Sequence, residues 1–95
     1  MDLVTKYIKN NSNGRKSPIC GSTIAGAFGI SGYEVRALIN SARCNGDPIC
    51  SNGKGYYIAA DVNEVRKTVD SIKGRIHSMQ KAVNGLEKYI DMKSA

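Results

Sequence analysis

Few side chains in this sequence have types that do covalent or metal chemistry. They are three cysteines, Cys20, Cys44 and Cys50, and one histidine, His77. A structural zinc site takes about four spaced ligands, and this set holds no CxxC pair and no histidine close to the thiols. An odd number of cysteines without a paired spacing reads as small, mostly buried thiols in a reducing compartment. No two carboxylates are placed for acid–base work, and no GxxxxGK[ST] loop is present. No cysteine stands near a histidine, so catalysis is not expected. GSTIAG (21–26) and GISG (29–32) are glycine-rich, but neither follows the buried strand that a dinucleotide site requires. No metal and no cofactor is expected.

What remains is charge. Fourteen Lys and Arg against eight Asp and Glu give a net charge of +6. Residues 1–60 hold seven basic and three acidic side chains (+4), and residues 61–95 seven and five (+2). An excess of this sign attracts phosphate-bearing polymers. Hydrophobic residues make up 41%, ordinary for a folded chain. No run of about 18 apolar residues and no signal-peptide pattern is present, so an intracellular protein without a membrane partner is expected.

The elements that must position these charges read as follows. Asp2 is an N-cap for a short helix with Leu3, Val4, Tyr7 and Ile8 inward. A polar loop, 11–17, leads to a brief extended piece at 18–20. A helix starting at Gly21 or Ser22 turns Ile24, Ala25 and Phe28 inward and stops at Gly29. Ser31 and Glu34 form a capping box for the next helix, from about Gly32 to Asn45-Gly46, with Val35, Leu38, Ile39 and Ala42 on its apolar face. Strands 48–51 and 54–59 flank Asn52-Gly53, a two-residue turn expected with positive φ at both positions. Tyr56 and Ile58 share one face of the second strand, and Tyr57 the other. From Asp61, apolar residues recur at Val62, Val65, Val69, Ile72, Ile76, Met79, Val83, Leu86 and Ile90, a heptad repeat that predicts a coiled-coil dimerisation helix. Gly74, Gly85 and His77 fall outside the seam. The alternative for this helix is docking onto the chain's own domain.

Ala25, Gly29, Ile30, Ser31, Val35 and Leu38 stand at the spacing of a helix-turn-helix, and SNGKGYYIA (51–59) is similar to a wing. The chain therefore resembles the winged helix-turn-helix family. It also looks like small phage or prophage proteins with a winged helix and one long C-terminal helix. One departure is Cys20-Gly21, where a polar N-cap is usual. The resemblance implies an α+β fold, with a winged helix-turn-helix domain at 1–60 and a heptad helix at 61–93. The alternative fold is a plain helix bundle with an incidental hairpin.

The resemblance also implies double-stranded DNA as partner, with the second helix in the major groove. Arg36 and Asn40 then face base edges, guanine O6/N7 and adenine N6/N7. Tyr33 and Ala37 lie beside them, Ser31 and the free amides at the helix start suit a phosphate, and Arg43 meets backbone. Asn52 and Lys54 carry the wing contact. The implied role is a regulator or replication factor in the bacterial host cytoplasm, acting as a homodimer. The alternative from a different class is an adaptor or inhibitor that binds a protein partner, because fold alone does not fix function.

Overall fold

A computed structural model describes residues 2–94. Its elements are α1 (Leu3–Asn11), α2 (Gly21–Phe28), α3 (Gly32–Cys44), β1 (Ile49–Asn52), β2 (Gly55–Ile58) and α4 (Val62–Ser94). The architecture is α+β: three short helices, one two-stranded antiparallel sheet and one long C-terminal helix.

The start of α1 is fixed by Asp2, whose carboxylate accepts from the Thr5 amide at 2.8 Å and the Thr5 hydroxyl at 3.0 Å. That pairing changes the expected inward face. With its hydroxyl satisfied, Thr5 is buried with Val4 and Ile8, while Leu3 stays 69% exposed. α2 ends at Gly29, which takes the left-handed conformation (φ 63°) and donates its amide to the Ala25 carbonyl. The chain restarts at once. Ser31 Oγ accepts from the Glu34 amide at 3.1 Å and donates to the Glu34 carboxylate at 3.3 Å. Glu34 thus meets the serine hydroxyl in place of the Ser31 amide expected for a full capping box.

Val4, Ile8, Ile19, Ile24, Val35, Ile39, Ala42 and Ile49 form one core between the three helices and the sheet. Full burial of side chains such as Ile8, Ile24 and Ile39 stabilises by roughly 1.5–3 kcal/mol each. Tyr7 and Phe28 close one side edge-to-face, with ring centroids 5.6 Å apart. Leu38, expected inward, lies at the core's margin and is 38% exposed.

The hairpin differs from expectation at its turn. Asn52 pairs with Gly55, so Gly53 and Lys54 form the loop. Neither Asn52 nor Gly53 has a positive φ. The Asn52 side-chain oxygen closes the turn instead, accepting from the amides of Lys54 (2.8 Å) and Gly55 (3.2 Å). Ile19 adds a one-residue bridge on the far edge of β2, exchanging two backbone bonds with Tyr56 at 2.7 and 2.8 Å. This contact explains Gly55, since a Cβ there would collide with the Ile19 carbonyl, and its φ of 147° also favours glycine.

The second face of the hairpin, Cys50 and Tyr57, is covered by α4. Asp61 caps that helix at the Glu64 amide (3.0 Å). The Glu64 carboxylate reaches back to the amides of Ala60 (2.8 Å) and Arg15 (3.1 Å). Val65 and Ile72 are half-buried, and Thr68, one position beside the seam, is buried. Beyond Ile72 every described residue of α4 is exposed. The seam is therefore split: its first part docks on the chain's own sheet and its second part projects. The molecule measures 57 × 32 × 23 Å. Among the described residues, no helix is long and apolar enough to cross a membrane.

Candidate functional site

The rotation of α3 is set by Val35, Ile39 and Ala42, each about 1% exposed. With that face inward, Gly32, Tyr33, Arg36, Ala37 and Asn40 are turned out, and all are exposed. Tyr33 stands 75% exposed. Arg36 folds back along its own helix, its guanidinium 3.6 Å from where a Cβ on Gly32 would sit. It borders a shallow groove between the start of α2 and α3, floored by Ala25, Val35 and Tyr56. Ser31 is exposed at the head of the same helix, with its hydroxyl engaged by Glu34.

A second groove adjoins the first, between the start of α2 and the hairpin tip. Lys54 stands exposed at that tip, and Arg75 reaches the groove from α4. Arg36 thus borders one groove and Lys54 and Arg75 the next, a run of basic side chains whose charge suits an extended anionic ligand. Arg75 was not legible as part of this surface. In the sequence it is a coiled-coil flank, and only the docking of α4 on the sheet brings it here.

Two expected contact residues are engaged internally. Arg43 Nε donates to the Ile49 carbonyl at 2.7 Å, and Nη2 donates to Ser51 Oγ at 3.2 Å. It is half-buried, and burial, with the nearby Arg75, pulls its pKa below the ordinary arginine value. Arg43 therefore ties α3 to β1. The Asn52 side-chain oxygen is likewise committed to the turn. Both roles need tertiary partners that spacing does not reveal.

The cysteines also depart from expectation. Cys20 and Cys44 are exposed and only Cys50 is buried, and all three are free thiols. At the start of α2, the Ser22 hydroxyl and amide lower the Cys20 pKa. Tyr57, between sheet and α4, is pushed up, chiefly by burial and further by Cys50 and Glu64. No group of three or more His, Cys, Asp or Glu that could hold a metal occurs among the described residues.

The expected dimerisation residues divide as the helix does. Val65 and Ile72 pack partly on the sheet, whereas Val62, Val69, Ile76, Met79, Val83, Leu86 and Ile90 are exposed. Comparison with protein-family models, with curated proteins and with solved structures finds no match to this chain.

Proposed function

We propose that this chain is a DNA-binding protein with a winged helix-turn-helix head. In this reading α3 enters the major groove and the hairpin tip touches the backbone. The observation that carries it is the uncovered outer face of α3, where Tyr33, Arg36, Ala37 and Asn40 stand together on a helix whose other face is locked in the core. The net charge of +6 and the neighbouring Lys54 and Arg75 support it. Arg43 Nε and Nη2 and Asn52 Oδ1 hold the fold, so in this reading these residues contribute less to the contact than Arg36, Asn40 and Lys54. The free part of α4 serves a homodimer, which doubles the reading helices and the phosphate contacts. A phage or prophage regulator or replication factor in the bacterial cytoplasm is the role that the family resemblance suggests.

The test is binding to random genomic duplexes across a salt series. Selected sites are expected to lose about tenfold or more in preference with Arg36→Ala or Asn40→Ala, while non-specific binding survives. Absence of salt-dependent binding at low ionic strength sinks the reading.

A second reading, a protein-interaction module, has one observation in its favour. Leu3, Phe28, Ile30 and Leu38 line an open apolar groove on another side of the head. A stable protein partner retained by Arg36→Ala would favour it.

A further inference from the structure

The seam of α4 is uncovered at every position only where it leaves the sheet, and that boundary limits how two copies can pair. Residues 73–94, 22 in number and about 33 Å long, are exposed throughout. Ile76, Met79, Val83, Leu86 and Ile90 repeat along them at spacings of three and four. A regular stripe this narrow, with polar residues on both sides, fits a second helix of the same kind.

We infer that two copies pair antiparallel through residues 72–90, with Ala82 of each chain facing the partner's Ala82 at the centre. The inference rests on the homodimer reading above. In this register Ile76 packs on the partner's Leu86 and Met79 on the partner's Val83. Half-buried Ile72 meets the partner's Ile90 at each end. The flanks decide between this arrangement and others. Here Lys73 lies beside the partner's Glu87, twice by symmetry. A parallel pair would set Thr68 against Lys73, Arg75 against Gln80 and Ala82 against Glu87, with no ion pair. An antiparallel register shifted toward the head would join Arg66 to Glu87. It would also seat Val65 against the partner, where the chain's own sheet already covers it. A shift the other way places Lys93 in the seam and opposes Glu87 to Gln80, again without an ion pair. The central register uses the whole free stripe, pairs opposite charges and draws only Ile72 from the docked part.

Antiparallel pairing sets the two heads at opposite ends of the shared rod. A parallel pair would hold them side by side.

The experiment uses the full chain with Cys20→Ser and Cys44→Ser, which removes both exposed thiols. Light scattering gives the mass in solution, and single cysteines at two positions report direction on mild oxidation. Ala82→Cys is expected to cross-link to itself, because position 82 faces its own symmetry mate only in the antiparallel register. Met79→Cys is expected not to, since it faces Val83 there and itself only in a parallel pair. Lys73→Glu should weaken the dimer about tenfold, and adding Glu87→Lys should restore it. All four sites are exposed, so the head folds in every variant. A monomer overturns both this inference and the dimer reading. A dimer that cross-links at 79, or at neither position, overturns the register alone.

Discussion

The two parts of α4 share one heptad spacing and have opposite surroundings. Up to Ile72 the helix lies on the hairpin, and from Lys73 onward every described residue is exposed. The difference does not come from hydrophobicity, since valines and isoleucines occur in both. It comes from rotation. The Glu64 carboxylate holds the Ala60 and Arg15 amides, and this turns Val65, Thr68 and Ile72 toward the sheet. The docked face is therefore offset from the seam by one flank position. An apolar period thus says that a helix will be covered, and a polar anchor decides by what.

Matched substitutions in the two parts test that contrast. Tyr57→Ala removes a ring buried between sheet and helix and should cost about 3–5 kcal/mol in urea unfolding. Tyr89→Ala, on the free part, should change unfolding of the head by less than about 0.5 kcal/mol. Glu64→Ala frees two backbone amides and should cost about 1–2 kcal/mol, with faster proteolysis in the 12–17 loop. Glu87→Ala should leave both readouts unchanged. One substitution has the opposite sign. The Thr68 hydroxyl is buried beside Tyr57, whose side chain it touches only through a contact too poor to count as a geometric hydrogen bond, so Thr68→Val should raise stability by up to about 1 kcal/mol.

Sequence carries most of the frame of this fold because its punctuation is local. Asp2, Gly29, Ser31 and Asp61 mark helix ends through contacts within a few residues, and all four do so here. The face of β2 that holds Tyr56 and Ile58 follows from simple alternation. What was not legible depends on partners distant in the chain. Arg43 looks like a surface base until β1 supplies two acceptors. Gly55 looks like one more turn glycine until the Ile19 carbonyl crosses it. At the hairpin, a side-chain oxygen did the work that backbone sign was expected to do, because Asn is suited to both. Of the candidate surface, the outer face of α3 was legible from its helical period. Arg75 was not, for it depends on the docking of a separate element.

The Ile19 bridge to Tyr56 has a mechanical meaning. Because Ile19 lies two residues before α2, it clamps β2 near the hairpin turn to the start of that helix, and Arg43 clamps the other strand to α3. The gap between α3 and the loop at Lys54 is thus a calliper set at folding. Under the proposed function, a ligand held between them would order mainly side chains, since the backbone there is arranged before it arrives.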